Sequence, residues 1–400
     1  MRLERAMWAT MTTQSGAGDE AINERGQKSV EVQTADERRG SYRRAYSARI
    51  GLMAESPNFP SGWDEVVAKV RIADELGFDS IWLGESWGYE LFTSMGDLLH
   101  ATKRIKVGAG IANIYSRTPA LIASTIATLD ERSGGRVVLG LGPSGANVIE
   151  DWHGVSFTKP LQRTREYVDI IRMILRGEKL IYNGEFFQLE RGFKLRFTPL
   201  RANIPIYIAA MGPKNVQQCG ALADGILPIF WPATRWHTLR EQLDAGAQQM
   251  GGRKGTYEDK ALISPYITTA ILHDAASEEE RSAALQAVAF PLAYYIGRMG
   301  VYYAQMLQRN GYEEDVQHVL EGWQKDTRSA IAAVSPALLA ATTLVGSASE
   351  CVAKLDQWVA AGVDEPILTM PAGSVDEAAA QLSALKSALS EEPPAGSLAR

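Results

Sequence analysis

The 400-residue chain predicts an α/β fold, a (β/α)8 barrel. Three observations point there. Short apolar runs alternate with longer segments of helical spacing over residues 49–389. The runs end in glycine-rich or polar residues, where β/α proteins bind ligands. The runs number eight, and no G-x-G-x-x-G opens the first crossover, so a doubly wound open sheet is the weaker alternative.

Residues 49–53 form the first strand. Helical spacing over 63–76 (Trp63, Val66, Val67, Val70, Ala73, Leu76) follows, with Gly77 as its stop. Residues 78–83 are the second strand, ending in Gly84-Glu85-Ser86-Trp87, and 90–102 the next helix. The stretch 105–145, IKVGAGIANIYSRTPALIASTIATLDERSGGRVVLGLGPSG, reads strand, loop, helix, turn, strand, loop. Two buried parallel strands joined by one helix is its simplest account. Residues 159–176 are an amphipathic helix, and 180–197 a β-hairpin marked by Asn183-Gly184. The fifth strand, 205–211, runs into Gly212-Pro213-Lys214. Residues 225–231 and 261–272 are the sixth and seventh. Residues 277–343 lack a clean strand, are rich in Tyr and Met, and predict a helical insertion beside or over the barrel mouth. Ser347 and Glu350 form a capping box for a helix to residue 361. The eighth strand is 365–370, and a last helix covers 375–389.

The ends differ in composition. Residues 1–44, rich in Gln, Glu, Arg and Ser without an apolar period, are expected to be a disordered extension. Residues 45–390 are the barrel domain and 391–400 a flexible tail. The net charge of −6 and the lack of a long basic run speak against a nucleic-acid partner. Arg38-Arg39 lacks the apolar segment that a twin-arginine signal needs. The most membrane-like window, 331–345, is short and holds Ser335, Pro336, Thr342 and Thr343, so a buried soluble segment is expected. Cys219 and Cys351 have no metal-ligand spacing, and a reducing, cytoplasmic compartment is the simple reading.

In a barrel, the residues just after each strand share one rim. Here they are 53–55, 84–87, 110–115, 142–144, 209–214, 230–231 and 370–371. This set is rich in glycine and aromatic residues and has no histidine. It suits a large planar ligand lying close to backbone, rather than a metal or a hydrolytic triad. Gly108-Ala109-Gly110 inside a strand suggests a bulge or a close ligand approach. Gly140-Leu141-Gly142-Pro143-Ser144-Gly145 is either a ligand wrap or a tight turn. Gly212-Pro213-Lys214 is either a phosphate cradle at a helix start or a plain turn with a solvated lysine. Glu85 could exchange a proton at the rim or could pair with a rim arginine. Trp87 could line the pocket or simply pack. His153 reads as a capping or packing residue.

The runs GFDSIWLGESWGYELFT, IKVGAGIANIYSRTPALIASTIATLDERSGGRVVLGLGPSG, WHGVSFTKPLQRTREYVDIIR, YNGEFF, PIYIAAMGPK and ALADGILPIFW resemble the luciferase-like monooxygenase superfamily. More narrowly they resemble its coenzyme F420-dependent oxidoreductases of the methylenetetrahydromethanopterin reductase type. The resemblance covers roughly residues 49–389. It implies a (β/α)8 barrel, often a homodimer, with a deazaflavin or flavin in the rim pocket. It places a bulge with a non-prolyl cis peptide, backing the ring, near Gly110-Ile111, with Asn113 beyond it. It places the cofactor phosphate at Ala210, Met211, Gly212, Pro213 and Lys214. Gly84, Ser86, Trp87, Gly142, Pro143 and Ser144 complete the expected cofactor contacts, and Glu85 is the candidate catalytic or anchoring residue.

The chain departs from the resemblance at two positions. Several F420 enzymes carry Asp-His at the end of strand two; this chain has Glu85-Ser86. A reductase acting on an activated double bond or iminium therefore fits better than an alcohol dehydrogenase. Met53 stands where some pterin reductases have a glutamate. The expected activity is hydride transfer between deazaflavin C5 and a small-molecule substrate; Tyr294, Tyr295, Tyr302 and Tyr303 suggest a bulky, partly apolar one, or are helix packing. The alternatives are a monooxygenase using reduced FMN and oxygen, and a non-catalytic flavin-binding barrel.

Overall fold

A computed structural model describes residues 49–54, 62–252 and 259–391. The expectations for residues 1–44, for Glu55 and for the tail after Glu391 lie outside the described residues. The strands in chain order are β1 (Gly51–Met53), β2 (Ser80–Leu83), β3 (Lys106–Ala109), β4 (Ala112–Asn113), β5 (Val137–Gly142), β6 (Leu180–Asn183) and β7 (Gln188–Phe193). They continue as β8 (Ile206–Ile208), β9 (Gly225–Ile226), β10 (Leu262–Ile263), β11 (Tyr266–Leu272), β12 (Thr343–Ser347) and β13 (Ile367–Thr369).

The main sheet is parallel and curled. Its neighbours run β9, β8, β5, β3, β2, β1, β13, β11. The segment carrying β10 and β11 touches both sides of this run. Leu262 and Ile263 pair with β9, and after Ser264-Pro265 the chain continues as β11, whose Tyr266 and Ile267 pair with β13. An isolated bridge from Ile229 to Tyr266 lies at the same junction. Pro265 has no N–H to give to a ladder, which accounts for the break in what the sequence presents as one strand.

Helices cover the outside, with caps where the residues predict them. Thr118 caps the helix Pro119–Ser133, and Gly134 ends it at φ 69°. Ser347 and Glu350 form the expected capping box. Strands β2 and β5 are buried along their whole length, as parallel strands covered on both faces must be. A second apolar cluster fills the inside of the curl: Trp82, Val138, Tyr207, Leu227 and Ile367, with Met53, Ile111, Ala209, Leu262 and Tyr266 partly buried against them.

Four local readings need correction. The sixth strand is only Gly225–Ile226, because Pro228 interrupts the run and Phe230 takes a left-handed φ of 54°. The third strand stops at Ala109; the chain then bulges and re-enters as β4 against β5. The hairpin turn spans Gly184 to Phe187 instead of the two-residue turn that Asn183-Gly184 signals, since Asn183 still pairs with Gln188. The buried Glu166 carboxylate holds that wider turn by accepting from the N–H groups of Glu185, Phe186 and Phe187. Finally, the reading has no strand between the helical region and the Ser347 cap, whereas β12 lies there and pairs with residues 268–272 of β11. Helix and strand abut there at Thr342-Thr343, with no breaker between them. The rest of that region is helical: Glu278–Arg298, Tyr302–Arg309, Glu313–Lys325, Thr327–Ala332 and Pro336–Thr342. Among the described residues no helix is long and apolar enough to cross a membrane.

Candidate functional site

The predicted rim residues at the ends of β2, β3, β4 and β5 converge. A Cβ on Gly84 would lie 3.4 Å from the Gly110 carbonyl oxygen, and one on Gly142 would lie 3.0 Å from the Ile111 side chain and 3.3 Å from Ala209. Asn113 pairs with Gly142 in register, and Ile114 N donates to the Gly142 carbonyl at 3.1 Å. Residues at the ends of four strands thus meet at one place, with the Ile111 side chain packed against Gly142. The Gly110–Ile111 peptide is cis, at the position where the resemblance puts it.

Glu85 is the polar hub of this corner. Arg117 Nη1 donates to its Oε1 at 2.6 Å, Asn113 N to its Oε2 at 2.7 Å, and Ser116 Oγ lies 3.4 Å from Oε1. The pair is enclosed, with side-chain exposures of 8% for Glu85 and 14% for Arg117. Arg117 also bonds Glu90, lies over the Phe92 ring at 4.9 Å, and its carbonyl accepts from Tyr167 Oη at 2.5 Å. Burial works against the Arg117 charge, but Glu85 and Glu90 outweigh it and hold its pKa above the usual value. Both Glu85 oxygens are occupied, so the geometry ties β2 to the loop after β4.

Past β8, Ala210 is buried, and the Met211 carbonyl accepts from Arg309 Nη2 at 3.3 Å. Gly212 precedes the helix Pro213–Leu222 in an extended conformation, with no side-chain cap. A Cβ on Gly212 would meet nothing within 4 Å. The N–H groups of Lys214 and Asn215, in the first turn, have no intrahelical acceptor, and Lys214 is exposed. Asn215 Nδ2 donates to the Ala209 carbonyl at 3.3 Å, and its Oδ1 is buried without a partner. This is an open, donor-rich helix start of the kind that receives phosphate.

The other predicted residues are less integrated. Trp87 is 46% exposed, while Ser86 and Pro143 are half-buried. Ser144 holds a left-handed φ of 60°. His153 is half-buried just after a short π-helix, Val148–Trp152. Tyr295 packs edge-on against Phe230 at 5.3 Å and Tyr303 at 4.7 Å, which ties the helical region to the chain after β9. Burial pushes the phenol pKa of Tyr303 up. Tyr302 remains 47% exposed. No cluster of potential metal ligands occurs among the described residues.

The pairing of Glu85 with a rim arginine, one of the two sequence readings of Glu85, is met by Arg117 of the polar turn after β4. Sequence reasoning did not name Asn215, Arg309 or Tyr266. Asn215 directly follows the predicted Gly212-Pro213-Lys214 loop, while Arg309 and Tyr266 come from other parts of the chain and meet the rim through the fold.

Comparison with known proteins places the chain in a family. A model of the luciferase-like monooxygenase family matches residues 45–365. The chain belongs to that family. A Mycobacterium tuberculosis protein named as a coenzyme F420-dependent oxidoreductase is 32% identical over 345 residues, covering 82% of this chain and 95% of the relative. The 5,10-methylenetetrahydromethanopterin reductase of Archaeoglobus fulgidus is 32% identical over 320 residues, covering 78% and 91%. The solved structure of the coenzyme F420-dependent tetrahydromethanopterin reductase from Methanopyrus kandleri superposes with a TM-score of 0.72 at 23% identity, covering 85% of this chain and 98% of that one. At that identity the likeness speaks for the fold.

Proposed function

We propose that this protein is an F420-dependent oxidoreductase acting as a reductase on a small organic molecule. The observation that carries the reading is the 32% identity, over 82% of the chain, to a relative named for coenzyme F420. We read the curled sheet as a (β/α)8 barrel, the hairpin β6–β7 as one insertion and the helices between β11 and β12 as another.

The residues present fit such a cofactor. A flat ring needs close backbone: Gly84 adds no side chain at the rim, and the space beside Gly110 and Gly142 is already filled by the chain's own Tyr266, Ile111 and Ala209. A phosphate needs free N–H groups and space, and Gly212, Lys214 and Asn215 offer both. Ala210, Met211 and Pro213 set the backbone path of that loop. Asn113, Pro143, Ser144, Ser86 and Trp87 border the ring site. When bound, the deazaflavin supplies the hydride-carrying carbon C5. The chain would supply the rest: Ile111 and Ala209, packed against Gly142, would help to hold the ring, and Glu85 with Arg117 fixes β4, which carries Asn113, and the loop after it. With both its oxygens engaged, Glu85 serves as an anchor in preference to a proton donor. A substrate with an activated double bond or iminium accepts hydride without a strong acid beside it, in keeping with the absence of histidine from the rim. The aromatic helical region favours a bulky, partly apolar substrate. A homodimer in the cytoplasm completes the proposal.

The test is titration of the purified chain with F420 and with FMN, followed by absorbance and fluorescence. Saturable binding of F420, and its reoxidation or reduction by a substrate panel, is expected. Binding and oxygen-dependent turnover with reduced FMN, and none with F420, would replace the proposal by the monooxygenase reading. Binding of either without turnover would favour a non-catalytic flavin-binding barrel.

A further inference from the structure

Two aromatic side chains stand inside the curled sheet beneath the bulge that ends β3. Trp82 is fully buried, and a Cβ on Gly108 would fall 2.4 Å from its Cε3 atom. Its indole N–H donates to Ser80 Oγ at 2.8 Å, and Ser80 Oγ donates to the buried Glu365 at 2.7 Å. Every polar atom of Trp82 is therefore accounted for, down to a carboxylate in the sheet interior.

Tyr266 differs. It opens β11, across the curl from β3. A Cβ on Gly110 would lie 1.7 Å from its Oη and 2.9 Å from its Cζ. The hydroxyl thus occupies the space that any side chain at position 110 would need. That hydroxyl is buried and has no hydrogen-bond partner among the described residues. Burial, with the Glu365 carboxylate adding to it, pushes the phenol pKa well up, so the hydroxyl keeps its proton.

A buried hydroxyl without a partner costs stability, and a phenylalanine of the same shape would avoid the cost. What the hydroxyl supplies in return is volume, placed under one atom of the bulge. We propose that Tyr266 is a positioning residue: its hydroxyl props Gly110 from inside the sheet and so sets the height of the surface on which a planar cofactor rests. The inference rests on the proposed cofactor site for its consequence, and on the Gly110–Tyr266 contact alone for its geometry. Because the hydroxyl is enclosed, Tyr266 acts through Gly110 and makes no bond to the ligand. Sub-ångström support of this kind governs whether a binding surface is held in its productive shape.

The test is a cycle of three full-length variants: Tyr266→Phe, Gly110→Ala and the double variant. Each is measured by thermal melting without cofactor and by fluorescence titration with F420. Tyr266→Phe is expected to melt at or above the wild-type temperature while binding F420 on the order of tenfold more weakly. Gly110→Ala alone forces a methyl against the hydroxyl and is expected to lower both melting temperature and affinity. In the double variant the 1.7 Å clash with the oxygen is gone, but the methyl still lies 2.9 Å from the ring Cζ, so both quantities recover part of the way from Gly110→Ala toward wild type.

Melting shifts that simply add in the double variant would overturn the contact, with no cofactor involved. F420 binding by Tyr266→Phe equal to wild type would overturn the positioning role. A wild-type chain that binds no F420, with the melting cycle still showing rescue, would sustain the prop and refute the cofactor assignment.

Discussion

Replacing Glu85 separates an anchor from a proton donor. Its carboxylate accepts from Arg117 at 2.6 Å and from Asn113 N at 2.7 Å, in a corner where the two side chains are 8% and 14% exposed. Breaking a buried ion pair by removing one partner costs about 3–5 kcal/mol, and the residual exposure here selects the low end, about 3 kcal/mol for Glu85→Ala. Glu85→Gln keeps an oxygen for the Asn113 N–H and loses the charge, so one charge-assisted bond is weakened, at about 1.5–2 kcal/mol. In a domain of this size each kcal/mol moves the melting temperature by about 2 °C, giving drops of about 6 °C and about 3–4 °C. Thermal melting followed by circular dichroism reads these, and F420 titration of the same samples reads the site. If Glu85→Ala melts within 1 °C of wild type, the ion pair does not hold the loop. If Glu85→Gln binds F420 normally yet loses all turnover, the carboxylate is a proton donor and the anchoring account is refuted.

Further expectations follow from the same contacts. Lys214→Ala should weaken F420 binding by about 1.5–3 kcal/mol, toward the lower value because the lysine is exposed, and should leave melting unchanged. An unchanged dissociation constant would remove the phosphate from that loop. Gly108→Ala should lower stability by about 1–3 kcal/mol through the clash with Trp82, checked by urea unfolding. Burial raises the Glu166 pKa, but Gln162 and the N–H groups of Phe186, Glu185 and Phe187 outweigh it and hold the carboxyl below its ordinary 4.5. The stability it gives the hairpin turn is therefore present above about pH 4.5 and lost as pH falls through the lower folded value. Amide protection at Glu185, Phe186 and Phe187, taken relative to intrinsic exchange at each pH, should fall in that acid range, and in Glu166→Gln the step should vanish. Glu365 has the opposite sign: burial raises its pKa despite the Ser80 bond, so its ionisation weakens the fold as pH rises above 4.5. Glu365→Gln should melt higher than wild type near pH 8 and match it near pH 4; a lower melting point at pH 8 would contradict the reading.

The chain's own pattern carries most of the scaffold. Period-3.6 stretches, proline and serine starts and glycine stops place the helices within a few residues, because these signals act through local geometry. The parallel strands are legible as short apolar runs for the same reason. The glycines at 84, 110, 142 and 212 mark the rim, since a strand spends glycine only where something must come close. Relations between distant segments are decided elsewhere. That β11 outlasts the curled sheet and recruits β12 depends on strand length and register. That Glu85 meets Arg117, and that Glu166 widens the hairpin turn, depends on burial, which makes an unpaired charge too costly to leave alone. The local rule says that something comes close at position 110, but not what. That is decided by Tyr266, 156 positions away in sequence, whose hydroxyl already fills the space.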